Sequence, residues 1–187
     1  MKKAAPSKVT AGVRARAKKI RVLLMDVDGV LTDGHVWLLS RRDGTASELK
    51  GFSAYDGAGL KLARAAGLRT GVITGRESSA VAQRSRECEL EFVFQGRASK
   101  LGAYEEILQA TGASESEVAY VGDDLPDLPV LQRVGFAIAV ANAALEVKHA
   151  AHYVTVRTGG EGAVREVIEL IVKAQGKWEE TSRKAKA

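Results

Sequence analysis

An apolar run that ends in two acidic residues constrains the fold of this chain more than any other feature. Residues 20–25 are apolar except for Arg21, and Asp26, Asp28 and Gly29 follow them. Such a run is typical of a buried strand. Side chains alternate along a strand, so the two carboxylates start out on the same face. Because two adjacent acids cost repulsion and desolvation, a core has no use for them, and this strand end is expected to be a functional edge.

Predicted strands and helices alternate along the rest of the chain. Strands are predicted at about 20–26, 68–74, 92–94, 118–121, 136–140 and 153–156. Helices are predicted at 57–66, 78–88, 101–111, 128–134 and 162–174. This alternation indicates an α/β fold with a doubly wound parallel sheet, which binds ligands at the carboxyl ends of its strands.

Charge and turn signals divide the chain. Residues 1–21 carry eight Lys or Arg and no acid, which leaves 20 basic against 23 acidic residues elsewhere. We therefore predict a disordered basic arm at 1–19. One domain is expected over 20–175 and a C-terminal tail over 176–187. An Asp-Gly turn at 43–44 between two short apolar runs predicts a β-hairpin insertion at about 34–51.

The cysteine content and the hydropathy of the chain predict its cellular compartment. The single Cys88 rules out an intramolecular disulfide and suits a reducing compartment. No segment has the length of a membrane helix, and the N-terminal residues lack the apolar stretch of a signal peptide. The cytoplasm is the expected location, with no membrane partner.

Three further polar motifs follow predicted strands. They are Thr74-Gly75-Arg76, Lys100 after Gln95-Gly96, and Gly122-Asp123-Asp124-Leu125-Pro126-Asp127. A Thr hydroxyl and the N–H after a glycine can bind a phosphoryl oxygen, and a fixed ammonium can neutralise phosphate charge. Clustered carboxylates without His or Cys suit a hard cation, Mg²⁺ above all. Each motif alone is typical of a turn or a helix cap, so the interpretation depends on their occurring together. With the two acids after the first strand, they indicate hydrolysis of a phosphate ester by one nucleophilic and one proton-donating carboxyl group.

Taken in this order, the motifs resemble those of the haloacid dehalogenase superfamily of phosphatases over about residues 20–175. The chain further resembles the 3-deoxy-D-manno-octulosonate 8-phosphate (KDO 8-phosphate) phosphatase family. The stretches that carry this resemblance are 28–33, Phe52 with 56–59, 94–100, 122–130, 153–155, 159–166 and 174–177. The resemblance implies a Rossmann-like doubly wound sheet with a small hairpin insertion and no large cap domain. It also implies a homotetramer in which neighbouring subunits close each active site.

The resemblance assigns roles to the motif residues. Asp26 would be the nucleophile that becomes an aspartyl-phosphate, and Asp28 the general acid. Mg²⁺ would be held by Asp26, the backbone carbonyl of Asp28, and Asp123, with Asp124 and Asp127 beside them. Thr74, Gly75 and Lys100 would hold the phosphoryl group.

The implied reaction is hydrolysis of KDO 8-phosphate to KDO and phosphate in lipopolysaccharide precursor synthesis. Arg76 favours this substrate, because the related nonulosonate 9-phosphate phosphatases tend to carry Glu after Thr-Gly. Arg84 and Arg157 are candidates for binding the sugar-acid carboxylate, the alternative being surface salt bridges. Tyr55 departs from the family, which usually has Arg there.

Other functions stay open at this point. One is a nonulosonate 9-phosphate phosphatase in the same fold, and another is a nucleic-acid-end phosphatase or binding module recruited by the basic arm. Aromatic residues make up only 5% of the chain and form no interleaved stacking platform, which argues against a nucleic-acid partner. A non-catalytic assembly subunit is disfavoured by the intact Asp26 and Asp28.

Overall fold

The computed structural model describes residues 8–97 and 99–184 of the 187. The strands are β1 (Val22–Met25), β2 (Trp37–Ser40), β3 (Ala46–Leu49), β4 (Arg69–Ile73), β5 (Phe92–Phe94), β6 (Val118–Gly122), β7 (Phe136–Ala139) and β8 (Tyr153–Val154). The α-helices are α1 (Ala11–Lys19), α2 (Ala54–Ala65), α3 (Ser79–Glu87), α4 (Lys100–Thr111), α5 (Leu128–Leu131), α6 (Leu145–Ala150), α7 (Ala163–Ala174) and α8 (Trp178–Lys184). The predicted alternation of strands and helices is confirmed.

Six strands form one parallel sheet in the order β5-β4-β1-β6-β7-β8. The chain builds one half of the sheet outward from β1 to β5 and then crosses back to begin the other half at β6. Adjacent strands β1 and β6 therefore flank the point where the winding reverses, which is where doubly wound sheets bind ligands. The backbone N–H of Asp26 donates to Val121 O across this point (3.0 Å).

The core lies on both faces of the sheet. All residues of β1, β6 and β7 are buried, as parallel strands covered by helices on both sides require. In one layer α1 and α2 both pack against α7, and in a second group α5 packs against α4 and α6. This rigid base leaves the carboxyl edge of the sheet to the loops that follow each strand.

The basic N-terminal segment is helical over Ala11–Lys19, where we expected a disordered arm at 1–19. The Thr10 hydroxyl caps the helix by accepting the N–H of Val13 (3.2 Å). Val13 and Ala17, four residues apart, are buried, and the helix packs against α7. A narrow apolar stripe is enough to order a helix that packs on an existing surface. The folded domain thus extends before residue 20, and residues 1–7 of the predicted arm lie outside the described residues.

The C-terminal tail also packs on the domain. Helix α8 contacts both α2 and α7, and the Lys177 ammonium donates to Ala66 O (2.9 Å). The predicted tail at 176–187 is therefore ordered as far as residue 184, and residues 185–187 lie outside the described part of the chain.

The predicted hairpin is confirmed as β2 and β3, which pair antiparallel with Trp37 opposite Leu49. Asp43 Oδ1 accepts the N–H of Thr45 (3.0 Å), and Gly44 adopts a φ of +82°, which favours glycine. Four apolar side chains of the hairpin are exposed in the single chain: Trp37, Leu38, Leu39 and Leu49. Among the helices of the described residues, none has the length and apolar character needed to cross a membrane.

Candidate active site

The candidate nucleophile Asp26 lies directly after β1 and faces a buried ammonium. Its Oδ2 is 2.8 Å from the Nζ of Lys100, the first residue of α4. Its Oδ1 accepts the N–H of Val27 (2.7 Å). Both contacts fix the carboxylate at the carboxyl edge of the sheet, where the predicted site lies.

Asp127 holds Lys100 from the other side. Its Oδ1 accepts from Lys100 Nζ (2.7 Å) and from the Tyr120 hydroxyl (2.8 Å). Its Oδ2 accepts the backbone N–H groups of Asp123 (2.9 Å) and Asp124 (3.3 Å). These four contacts occupy the carboxylate, and the side chain is fully buried. Asp127 therefore orients the ammonium and the loop after β6.

The remaining carboxylates fit a hard cation. Oxygen atoms of Asp26, Asp123 and Asp127 lie within 4.8 Å of one another. Asp123 Oδ1 is buried and has no hydrogen-bond partner among the described residues. An unpaired buried carboxylate oxygen is costly, and a bound divalent cation would remove that cost. Since Asp127 is already saturated, Asp26 and Asp123 are the side chains that fit Mg²⁺, whose preferred ligands are oxygen atoms.

Burial makes these two acids unusually weak. It raises the pKa of Asp26 to about 6 against the opposing effect of the Lys100 ammonium. Burial, followed by the charge of Asp26, raises the pKa of Asp123 to about 7. A cation between the two would favour their charged forms and lower both pKa values. Perturbed acids that converge in a cleft are typical of functional sites.

Asp28 contacts two cations from elsewhere in the chain. Its Oδ2 is 3.6 Å from Arg76 Nε, and its Oδ1 contacts the ammonium of Lys50, which follows β3 of the hairpin. Lys50 Nζ is also 3.0 Å from Glu48 Oε1. Lys50 and Glu48 were not predicted from the sequence, because no spacing within the hairpin indicates that its base reaches Asp28.

One cleft gathers the four predicted motifs. The predicted site residues that line it are Asp26, Asp28, Thr74, Gly75, Arg76, Lys100, Asp123 and Asp124. Thr74 is buried after β4, and its hydroxyl accepts the N–H of Arg76 (3.4 Å). Arg97, which the sequence analysis did not name, lines the same cleft and donates its N–H to Thr74 O (3.1 Å). The cleft therefore combines carboxylates that could hold a metal with cations that could bind a phosphate.

Arg84 and Arg157 lie elsewhere in the single chain. The Arg84 guanidinium donates to Ser53 O (3.1 Å) and lies over the Phe52 ring. The Arg157 guanidinium lies over the Tyr55 ring at 5.6 Å. Within the described residues of one chain, neither arginine is among the residues that line the cleft. Both instead lie close to the start of α2.

Asn142, which was also not predicted from the sequence, supports the loop after β1. Asn142 Nδ2 donates to Gly29 O (3.2 Å), and its Oδ1 accepts the N–H of Gly159 (2.7 Å). Gly29 adopts a φ of +84°, and a Cβ there would overlap the Asp123 carboxylate. Asn142 follows β7 at the same edge of the sheet, so the strand-end rule that found the other motifs would also have found it.

The sequence of this chain is similar to those of known proteins. Residues 73–168 match the family described as haloacid dehalogenase-like hydrolase. The chain is 41% identical over 172 residues to the 3-deoxy-D-manno-octulosonate 8-phosphate phosphatase KdsC of Escherichia coli (strain K12), covering 92% of this chain and 89% of that protein.

Solved structures of phosphatases with this name are also similar to this chain. The 3-deoxy-D-manno-octulosonate 8-phosphate phosphatase from Yersinia pestis superposes with a TM-score of 0.86 at 41% identity, covering 90% of this chain and 89% of that one. The enzyme of the same name from Moraxella catarrhalis, in complex with a magnesium ion, a phosphate ion and a KDO molecule, gives a TM-score of 0.85 at 39% identity, covering 91% of this chain and 96% of that one.

Proposed function

This chain belongs to the haloacid dehalogenase-like hydrolases, and from that membership we propose that it is a phosphatase that hydrolyses KDO 8-phosphate to KDO and phosphate. One observation carries the proposal most directly. The Asp26 carboxylate pairs with a buried ammonium and lies within 4.8 Å of the half-buried Asp123 carboxylate, at the point where the sheet reverses its winding. That arrangement provides a nucleophile, a phosphate-binding cation and a place for a metal.

The first half of the reaction uses Asp26 and Asp28. A carboxylate oxygen of Asp26 attacks phosphorus and forms an aspartyl-phosphate while the bond from phosphorus to the sugar oxygen breaks. The Asp28 carboxyl group gives its proton to the departing oxygen, so KDO leaves as an alcohol. Lys100, held by Asp127, stabilises negative charge on the phosphoryl oxygens.

The second half restores the enzyme. Water attacks the phosphorus of the aspartyl-phosphate, Asp28 accepts the proton of that water, and phosphate leaves as the Asp26 carboxylate re-forms. Thr74 and the backbone after Gly75 would hold the phosphoryl oxygens throughout. The cofactor is Mg²⁺, which would be held by Asp26, Asp123 and the backbone carbonyl of Asp28 and would supply positive charge beside the phosphate.

A phosphate-release screen tests the substrate. Purified protein with Mg²⁺ is offered KDO 8-phosphate, nonulosonate 9-phosphates and common hexose phosphates. We expect kcat/KM for KDO 8-phosphate to exceed that for every other compound by about tenfold or more, because substrate discrimination by several polar contacts reaches this size. A preference for a nonulosonate 9-phosphate would replace the octulosonate with the second candidate in the same fold.

We further propose that the chain acts as a homotetramer in the cytoplasm, in lipopolysaccharide precursor synthesis. The exposed apolar side chains of the hairpin support self-association, because a surface patch of this kind marks an interaction site. In such an assembly Arg84 and Arg157, which do not line their own cleft, remain proposed contacts for the sugar-acid carboxylate.

A further inference from the structure

The base of the hairpin brings a buried cation to the candidate general acid. The Lys50 side chain has no exposed surface, and its ammonium contacts both Asp28 and Glu48. Lys50 lies one residue after β3, whereas the strands of the hairpin are largely exposed. A lysine is almost never fully buried without a partner, so this placement depends on the two carboxylates.

Arg76 closes the arrangement into a ring of alternating charges. Its Nε is 3.6 Å from Asp28 Oδ2, and its Nη2 is 3.7 Å from a Glu48 carboxylate oxygen. Each of the two carboxylates therefore contacts both cations. We call Asp28, Lys50, Glu48 and Arg76 the charge ring.

The charge ring fixes the direction of the Asp28 carboxyl group. Lys50 is on one of its oxygens and Arg76 is on the other, so rotation about the bond to the carboxyl carbon would break one contact or both. Asp26, by contrast, is held by Lys100 and its own neighbouring N–H. The two catalytic carboxylates thus have separate supports.

We propose that Lys50 is a positioning residue that aims the Asp28 carboxyl group at the oxygen of the departing sugar. The proposal rests on the proposed phosphatase mechanism and adds a residue from outside the four motifs. Lys50 itself exchanges no proton with substrate. It contributes by holding the group that protonates the leaving oxygen as the bond to phosphorus breaks, and geometry of this kind governs the efficiency of proton transfer.

This role has a signature that a structural role lacks. A sugar alkoxide is a poor leaving group and needs the proton from Asp28. The p-nitrophenolate ion is a good leaving group and departs without one. Misplacing Asp28 should therefore slow the release of the sugar from its phosphate far more than the release of p-nitrophenolate, whereas the later attack of water on the aspartyl-phosphate is common to both substrates.

The test compares Lys50→Met with wild type on KDO 8-phosphate and on p-nitrophenyl phosphate, measuring kcat and the rate of the first turnover, in which KDO or p-nitrophenolate is released. We expect kcat and the first-turnover rate for KDO 8-phosphate to fall by about 100-fold with KM changed less than about threefold, as loss of general acid catalysis predicts. We expect the first-turnover release of p-nitrophenolate to change by less than about threefold, because this step needs no proton from Asp28. Equal losses in the two first-turnover rates, or a rise in KM alone, would overturn the proposal in favour of a structural or a substrate-binding role.

Further variants at Asp28 and Lys50 complete the design. The Asp28→Asn variant lacks the carboxyl group that Lys50 positions, so adding Lys50→Met should not lower kcat for KDO 8-phosphate further. A further loss of about tenfold would contradict the proposal. Lys50→Arg keeps a cation at the ring and should recover part of the lost kcat, whereas failure of both Lys50→Arg and Lys50→Gln to fold would assign Lys50 to stability instead.

The matched control is Arg42→Met at the exposed turn of the same hairpin, which should leave both activities unchanged. The outcome for Lys50 is separable from the substrate assignment. If wild type hydrolyses other alkyl phosphates but not KDO 8-phosphate, the proposed function fails. The comparison of those alkyl phosphates with p-nitrophenyl phosphate still tests Lys50.

Discussion

The Asp26 carboxylate faces Lys100 at 2.8 Å and is mostly buried. Asp26→Asn keeps the size of the side chain but removes the oxygen nucleophile, so we expect kcat on a sugar phosphate to fall by at least about 10³-fold. Circular dichroism should show an unchanged fold. Asp33→Asn, at an exposed position of the same loop, is the control and should keep wild-type activity. An Asp26→Asn enzyme within about tenfold of wild type would contradict the role of nucleophile.

The raised pKa values of Asp26 and Asp123 predict how pH and Mg²⁺ together affect the stability of the folded protein. The pKa values of Asp26 and Asp123 in the folded protein, about 6 and about 7, lie above the ordinary 3.8. The metal-free folded state therefore binds more protons than the unfolded chain in this window, and its stability falls as pH rises from about 4 to 7.

Mg²⁺ should reverse that loss, because it binds the charged carboxylates. We expect millimolar Mg²⁺ to raise the thermal midpoint clearly at about pH 8 and only weakly at about pH 5, where it competes with protons. Thermal melts with Mg²⁺ and with EDTA measure the difference. Asp123→Asn should abolish the Mg²⁺-dependent rise, and an equal rise at both pH values would speak against a carboxylate metal site.

Arg76 lines the cleft with a half-exposed side chain beside Asp28. We expect Arg76→Glu to lower kcat/KM for KDO 8-phosphate more than for nonulosonate 9-phosphates, by about tenfold in their ratio, because a guanidinium pairs with polar groups of one sugar acid. Arg97→Glu makes the same charge change in the cleft and should lower both activities alike. An unchanged ratio in Arg76→Glu would show that Arg76 has no selective role.

At the scale of elements, helix α1 shows that a basic segment can be part of the core. Val13 is buried where the helix packs against α7. Val13→Ala should lower the free energy of unfolding by about 2 kcal/mol, because it removes buried apolar surface. Denaturant unfolding measures this loss, and kcat/KM of the folded enzyme should not change. The exposed neighbour Arg14 is the control, and a similar loss in Arg14→Ala would mean that the helix acts through its charge.

At the scale of the whole molecule, the hairpin leaves Trp37 exposed beside two leucines. An isolated hairpin is marginal, so burial of these side chains between subunits would stabilise both the hairpin and the assembly. We expect Trp37→Asp to dissociate the proposed homotetramer and to lower activity with it. Light scattering and phosphate release at the same concentration measure both, with Arg42→Asp in the turn as control. A fully active monomer would refute the link between assembly and catalysis.

The sequence by itself determined the sheet and the main parts of the cleft. Apolar runs and Gly-rich ends define strands, and the carboxyl ends of parallel strands must meet at one edge. The positions of Asp26, Thr74 and Asp123 directly after such strands are therefore enough to predict that they lie together. The Asp-Gly turn placed the hairpin for an equally local reason.

Only the tertiary structure decided which distant residues complete the site. Lys50 reaches Asp28 from the base of the hairpin, and Arg84 lies away from the cleft of its own chain. The folding of α1 as a helix likewise depends on its packing against α7, which is distant in the sequence. Hydrophobic periodicity and turn residues predict the secondary structure and the buried face of a short segment. The approach of side chains from separate segments depends on sheet order and helix packing, which no local pattern encodes.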